Sequence, residues 1–472
     1  MVEVSFDACV VGGGPAGSAT AIRLAKLGHR VCLVERSKFP RSHVGESLTA
    51  GISPIFDLLG LGELPKERFL VPSETFIRWA EAQIEHVPPD RRGSGLLVDR
   101  RSFDAFLLQA AMSDGVEIFQ PAQLREVSND GSIWQLRVVV EGDSQEVAAK
   151  FLVDATGRNG FLPHGRKQMS PFTLALCGYL ATERCSEATL VEAIPDGWCW
   201  GAPIPGGLFS TMVFFDRDTI RLLRRDMLES FWRSQLAKTA LFSAFSNVPL
   251  IGKLLARDAT TYCEEDPICA NSIKVGEASF ALDPLSSTGV EKAMQSGLIA
   301  ATALHTMLLR SDREEVCARF YRDRRAEIVS SHASWSSEFY RRVERYGERP
   351  FWWKRTRASK YHHPEPYPLA SSPEKERVTF RSRVKISEKA QLVTEACIVG
   401  DEICSRPALV HPSLARPAAF VEGVDVGLLL EMVRRSSDLG CLLALWSNLI
   451  SPQQAVRVAS WLLNKQILEP VS

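Results

Sequence analysis

Phe6-Asp7-Ala8-Cys9-Val10-Val11-Gly12-Gly13-Gly14-Pro15-Ala16-Gly17 is the stretch that decides the fold. An apolar run enters a glycine loop, and Ser18 to Gly28 then continues with helical periodicity, which is the order of a βαβ unit. Within it, Gly12-x-Gly14-x-x-Gly17 fits the dinucleotide fingerprint. Gly12 permits the tight turn, Gly14 lets backbone approach a pyrophosphate, and Gly17 lets helix pack on strand. The phosphates then meet the positive end of the helix. A second strand, Arg30 to Val34, leads to Glu35, where an acid can accept hydrogen bonds from a ribose diol.

The 472 residues, 45% hydrophobic and 24% charged, describe a folded chain and exclude a fibrous or disordered one. At roughly 150 residues per domain the length allows about three domains. Lys plus Arg and Asp plus Glu both number 56, so net charge gives no claim on nucleic acid or an anionic surface. No apolar run reaches the roughly 18 residues of a membrane span. The longest candidate, Leu298 to Leu309, is broken by His305 and two Thr. With an apolar strand this early, no secretory signal is expected. Eleven scattered Cys without a C-x-x-C pair read as reduced thiols in a cytoplasmic protein, and no metal site is expected.

Three downstream segments join the first motif. Arg100-x-x-Phe103-Asp104 precedes a helix over Phe103 to Met112, and Asp154-Ala155-Thr156-Gly157-Arg158 follows an apolar strand. Gly276-Glu277-Ala278 and Asp283-Pro284-Leu285-Ser286-Ser287-Thr288-Gly289 lead into a helix through Leu309. In this order and spacing the set resembles the FAD-binding fold of the flavoprotein monooxygenase and flavin-dependent halogenase superfamily. The resemblance implies an α/β fold with a Rossmann-like FAD domain and an antiparallel-sheet substrate domain. It implies FAD as cofactor, with Asp283 at the ribityl chain and Arg100 and Glu35 toward the sugar and phosphates. The expected cofactor set is Gly12, Gly14, Ala16, Gly17, Glu35, Arg36, Arg41, Ser47, Arg100, Asp283, Ser287 and Gly289. The Ser287-Thr288-Gly289 turn starts a helix whose positive end suits the negative charge of reduced flavin.

Phe39-Pro40-Arg41-Ser42-His43-Val44-Gly45-Glu46-Ser47-Leu48 resembles the Gly-Glu-Ser loop beside the flavin in halogenase-like members. Glu46 is the candidate acid/base group there, with a structural loop role as the alternative. Trp198-Cys199-Trp200 with Ile204-Pro205 is similar to the halogenase W-x-W-x-I-P signature, with two additional residues. An aromatic core strand is the plainer reading. Tryptophan halogenases carry a Lys where this chain aligns Thr75, and a Glu where it has Ser286. Without them halogenation has no support, and hydroxylation of an electron-rich ring by oxygen activated on the flavin remains. The stretch from Leu282 through Ser287 to Gln295 resembles the halogenase-like flavoproteins that mature tryptophylquinone enzymes. These include the maturases of cysteine tryptophylquinone oxidases. They also include the monooxygenase that modifies a Trp in the small subunit of quinohemoprotein amine dehydrogenase, which this chain resembles. The resemblance implies a client polypeptide carrying a Trp as substrate partner. It leaves open a separate flavin reductase or NAD(P)H as reductant. A halogenase or small-indole hydroxylase, and a flavin-binding maturation factor without turnover, are the alternatives.

Alternating runs over Ile118 to Val140 and Thr173 to Phe215 predict antiparallel strands, and Arg221 to Ala244 and Arg313 to Arg345 predict helices. The basic and aromatic stretch Arg341 to Lys360 reads as a packed helix end before it reads as an RNA or peptide surface. His362, His363, Pro364, Pro366, Pro368 and Pro373 predict a linker. Strands over Gln391 to Val399 and Ala408 to His411 and helices near Val424 to Arg435, Gly440 to Ser447 and Pro452 to Asn464 follow. With Ile467 to Pro470 as a wing strand they predict a winged-helix-like domain serving protein docking or packing instead of DNA. The expected division is 1–70, 96–170 and 262–330 for FAD, 71–95 and 171–261 for substrate, 331–375 as helix and linker, and 376–472 as the C-terminal domain.

Overall fold

The strand Phe6–Val11 is buried almost throughout, and it pairs in parallel with Val31–Val34 on one side and Asp143–Asp154 on the other. Parallel pairing demands cover on both faces, so these strands are continuous apolar runs with no polar alternation. In the computed structural model, residues 6–41, 43–62, 69–88, 95–163, 165–181, 188–221, 223–269, 271–357 and 379–471 are described. Outward from Phe6–Val11 the sheet runs through Val31–Val34 to Glu117–Phe119, and through Asp143–Asp154 to Ser272–Lys274 and Ile268–Cys269. Ile118 therefore sits in a parallel strand, whereas Ala122–Asn129 and Trp134–Val140 form the predicted antiparallel meander. The helix Pro15–Lys26 has Pro in its first turn and buries Ala16 through Ile22. A missing N–H is harmless there, because first-turn amides have no partner within the helix. The helix predicted from Phe103 starts at Arg100, because Asp99 accepts from the Arg101 amide and caps it.

Seven strands form the second large sheet, in the order Leu250–Asp258, Thr173–Ala181, Leu208–Asp216, Gly197–Ile204, Ala188–Ile194, Glu74–Arg78 and Glu85–Val87. Both faces are covered. Trp198, Trp200 and Ala202 point to one cluster with Trp79, Phe214, Tyr340, Phe351 and Trp352, while Cys199 points to the other with Phe209, Phe215, Trp232 and Phe242. The period of two in a strand makes that division. Trp198 stacks on its cross-strand neighbour Phe214 with centroids 3.9 Å apart. The W-x-W segment thus lies in the core, which is the plainer of its two sequence readings. Each such aromatic removes roughly 150–250 Å² from water, so about 4–6 kcal/mol of favourable transfer at about 25 cal/mol/Å². The helix predicted over Arg221 to Ala244 is shorter, Leu228–Ala237, with single turns around it.

The long helix Glu314–Arg341 matches its periodicity, and Pro350–Arg357 follows it. The basic residues here are largely tied into the protein. Arg345 bonds the carbonyls of Glu81, Arg78 and Ala193, Arg349 pairs with Asp196, and Phe351 and Trp352 are buried. Arg355 is 2% exposed and bonds Asp216 at 2.7 Å, Thr173 at 2.6 Å and the Phe351 carbonyl at 2.8 Å. The linker predicted around His362 to Pro373 lies outside the described residues.

The chain divides into two compact units, Met1–Leu308 with Tyr321–His362, and Leu309–Phe320 with His363–Ser472. In the second unit the hairpin Gln391–Val399 and Glu402–Val410 precedes helices Val426–Val433, Leu439–Trp446 and Pro452–Asn464, and Leu468–Pro470 pairs with Val384–Ile386. Leu429, Leu442, Trp446, Val458 and Leu462 share its core. Ser451 caps the last helix on the Gln454 amide, as its sequence implies.

Removing the Arg355 cation while keeping its length, in Arg355→Met, leaves Asp216 buried with a partly exposed Lys354 as its remaining cation. A loss of about 3–5 kcal/mol is expected for a broken buried pair, read by denaturant unfolding of the full chain.

Candidate functional site

The glycine turn is shaped by contacts no side chain would fit. A Cβ on Gly17 would stand 1.9 Å from the Gly12 carbonyl oxygen, and one on Gly12, whose φ is +111°, would stand 2.3 Å from the Ala155 carbonyl oxygen. Gly14 caps the helix from an extended conformation and has only the Arg41 guanidinium, at 3.6 Å, near its missing Cβ. Backbone amides at a helix start with a cation beside them make a site for phosphate. The buried Arg41 Nε has no hydrogen-bond partner, and Arg41 approaches Asp104 only to 3.7 Å. Both observations fit a diphosphate held against this turn.

Glu35 follows the second strand as expected, and its two oxygens accept from the amides of Gly13 and Ser37, both at 2.8 Å. It thus ties the turn to the end of that strand. Arg36 is exposed beside it. Ala16 packs against the second half of the motif set. Its Cβ is 2.7 Å from the place of a Cβ on Gly276, and its carbonyl is 2.5 Å from one on Gly297. Only small residues let helix Gly289–Leu309 approach so closely. Asp154 organises the neighbouring loop by accepting from the amides of Thr156, Phe161 and Leu162. Arg158 pairs with Glu277 at 3.2 Å.

The loop bearing Glu46 is clamped by Arg100. Its guanidinium is bidentate on Asp104, at 2.8 and 3.1 Å, and donates to the Val44 carbonyl at 2.8 Å. Burial works against the Arg100 charge, but the Asp104 carboxylate outweighs it and raises the pKa. Arg100 therefore shapes the loop that the resemblance puts beside the flavin, with its donors turned to protein atoms. Gly45, at φ +104°, lies under the guanidinium, and Ser47 enters a two-residue strand paired with Leu97. Glu46 is 1% exposed, accepts from the Tyr179 hydroxyl at 2.7 Å and from the Gly45 amide at 3.0 Å. Burial pushes its pKa up despite both hydrogen bonds, and burial with the Glu46 charge pushes the Tyr179 phenol up too. The pair is a place where a proton can be held.

Asp283 caps the turn Pro284–Ser286 through the Leu285 amide at 3.0 Å, and its carboxylate accepts from the Tyr340 hydroxyl at 3.0 and 3.1 Å. Burial raises its pKa, opposed by the Leu285 amide, the Arg355 charge and the Tyr340 bond. A cavity opens beside it, lined by Leu282, Met169, Val329, His332, Ser336 and Ser337 among others. Ser287 takes a left-handed conformation at φ +53°, and Gly289 begins the helix with open space at its Cβ position. Ser286 bonds the Asp283 carbonyl at 3.1 Å and the Thr288 hydroxyl at 2.8 Å. Thr75 is buried within strand Glu74–Arg78, in register with Thr189. The sequence reading missed Tyr179 and Tyr340, and it quoted Asp104 and Glu291 within its motifs without giving either a role; Glu291 accepts from Thr49 and from Lys292.

The chain matches the FAD dependent oxidoreductase family over residues 7–163. It is 31% identical over 322 residues to a tryptophan 2-halogenase of Chondromyces crocatus, covering 63% of this chain and 61% of that protein, so the match spans less than two thirds of the halogenase. It is 29% identical over 378 residues to the putative FAD-dependent oxidoreductase LodB of Marinomonas mediterranea, covering 76% of this chain and 99% of that one. The peptidyl tryptophan dihydroxylase QhpG, essential for tryptophylquinone cofactor biogenesis, shares the fold with a TM-score of 0.74 at 22% identity, over 98% of this chain and 99% of its own. Residues 7–163 thus match an FAD-dependent oxidoreductase domain, and the fold is shared with flavin-dependent halogenase and hydroxylase structures.

Two outcomes follow from this geometry. Gly17→Val drives a side chain into the Gly12 carbonyl, and the purified variant is expected to lack the visible flavin absorbance of the parent, with circular dichroism as the check on folding. Glu46 has a folded pKa above its ordinary 4.5, so its folded form binds the proton more tightly than the unfolded chain. Its contribution to stability is fully present below pH 4.5 and is lost as pH rises through the folded value. Glu46→Gln, measured against the parent by denaturant melts across that window, is expected to gain relative stability as pH rises.

Proposed function

We propose that this chain is an FAD-dependent monooxygenase that hydroxylates a Trp side chain of a client polypeptide during tryptophylquinone biogenesis. The observation that carries the reading is at the two positions where tryptophan halogenases place Lys and Glu. Thr75 is held inside a sheet, and Ser286 has its hydroxyl engaged by Asp283 and Thr288. Neither supplies a cation or an acid for hypohalous chemistry. QhpG, matched over 99% of its length and described as essential for tryptophylquinone cofactor biogenesis, supports the maturation role, and LodB, matched over 99% of its own, supports an FAD-dependent oxidoreductase.

Bound FAD supplies oxygen activation once reduced, by a separate reductase or by NAD(P)H. This chain's residues do the rest. The Gly12–Gly17 turn and Arg41 bind the phosphates, and Arg100 fixes the Val44–Gly45 loop. Glu46, held toward its protonated form beside Tyr179, keeps a proton near the reacting ring. Asp283, oriented by Tyr340, presents acceptors on the other side, and the aromatic cluster around Trp198 and Trp352 excludes water. The N-terminus of helix Gly289–Leu309 favours negative charge placed against it. For the C-terminal unit, protein docking is the role proposed.

Halogenation is the second reading, favoured by the identity to the tryptophan 2-halogenase. Incubating a Trp-containing client peptide or subunit with protein, FAD, reductant and oxygen, with and without chloride, separates the two by intact mass. The expected outcome is a gain of one or two oxygen atoms regardless of chloride. A chloride-dependent gain establishes the halogenase. Flavin reoxidation with no change of mass removes the peptidyl substrate.

A further inference from the structure

Cysteines in a chain without C-x-x-C pairs are set apart by where the sheets bring them together. In the second unit, the hairpin Gln391–Val399 and Glu402–Val410 turns at Gly400-Asp401 and places Cys397 directly opposite Cys404. Both side chains are half-buried, and Cys404 is near enough to bear on the Cys397 thiol. Directly opposed residues of an antiparallel pair have Cα atoms about 4.5–5.5 Å apart, inside the span of roughly 4.4–6.8 Å that a disulfide bridges. The first unit offers the contrast. Cys9 and Cys32 are also register partners, but both are fully buried between parallel strands, where no solute reaches them.

We propose that Cys397 and Cys404 are a redox modification site, closing to a reversible cross-strand disulfide when the protein meets hydrogen peroxide. Flavoproteins that reduce oxygen release this oxidant whenever oxygen transfer to substrate fails. Burial and the adjacent Cys404 push the Cys397 thiol up to about 11, with Arg406 pulling the other way, so Cys397 stays protonated near neutrality. Cys404 therefore attacks first. Its sulfur forms a bond to one peroxide oxygen, the O–O bond breaks, and the leaving hydroxide takes up the Cys404 proton as water. The Cys397 sulfur then attacks the Cys404 sulfenic acid. The S–S bond forms, the S–O bond breaks, and the oxygen departs with the Cys397 proton as a second water. Two thiols lose two electrons, and one peroxide becomes two waters.

The bridge closes a ring of only a few residues between neighbouring strands. It removes little chain entropy from the unfolded state, so thiols in the medium can reopen it without unfolding the unit.

The test uses the full chain, reduced and desalted, exposed to hydrogen peroxide, then alkylated and mapped by peptide mass. The expected result is a hairpin peptide two hydrogens lighter, protected from alkylation at both cysteines and restored by dithiothreitol. Cys404→Ser is expected to abolish that species, and Cys397→Ser to leave a sulfenic acid at Cys404 that dimedone traps. Full alkylation of both cysteines after peroxide overturns the proposal. So does separate oxidation of either one to a sulfinic acid, or a Cys397 disulfide to any other partner in the parent protein. The readout needs neither client nor flavin turnover, so it stands or falls apart from the proposed function.

Discussion

The approach of the Gly17 backbone to the Gly12 carbonyl is the constraint on which the first unit rests. At 1.9 Å from that oxygen there is no room for a Cβ, so strand and helix meet backbone to backbone. The same closeness repeats outward. Ala155 abuts Gly12, and Ala16 abuts Gly276 and Gly297, segments separated by more than 250 residues in the chain. Each contact needs a small residue on at least one side. Three distant stretches therefore converge on one turn and its helix start, while the Gly12 and Gly13 amides tie that turn to Val34 and Glu35.

Around this centre the buried polar groups are arranged in short closed sets. Arg100 is bidentate on Asp104 and holds a loop carbonyl, Tyr340 lies on Asp283, Tyr179 on Glu46, and Arg355 on Asp216. A buried ion without a partner costs several kcal/mol, so these pairings decide which carboxyls carry charge. Asp104 lies against a guanidinium. Glu46 and Asp283 face phenols and backbone amides, and burial tips both toward the protonated form. A buried carboxyl whose pKa is displaced in this way is a candidate for proton handling.

The elements with strong local rules were legible in the sequence. The glycine turn, the acid after the second strand, the cap at Ser451 and the long amphipathic helix Glu314–Arg341 are each dictated by residues a few positions apart. What escaped depends on contacts across the chain. Tyr179 and Tyr340 read as ordinary aromatic residues until the sheet and the helix bring their hydroxyls to Glu46 and Asp283. Arg100 was legible as important, but its partner Asp104 and its grip on Val44 follow from a helix start that Asp99 moves three residues earlier. The helix expected over Arg221 to Ala244 is confined to Leu228–Ala237, and its Trp232 packs in one cluster with Phe242 and Phe245 beyond it.

The Trp198-Cys199-Trp200 strand shows why a motif and its chemistry can separate. In a strand, two Trp one residue apart must face the same side, and here that side is filled by Trp79, Phe214, Tyr340 and Trp352. The pair is therefore fixed by packing whether or not halide chemistry takes place nearby. The Trp-rich wall reaches the site through Tyr340, which lies in that cluster and also orients Asp283. Repacking the wall would thus move an acceptor at the site without touching a reacting group. Halogenase-like sequence in this strand is therefore explained by packing alone and does not by itself decide between halogenation and hydroxylation.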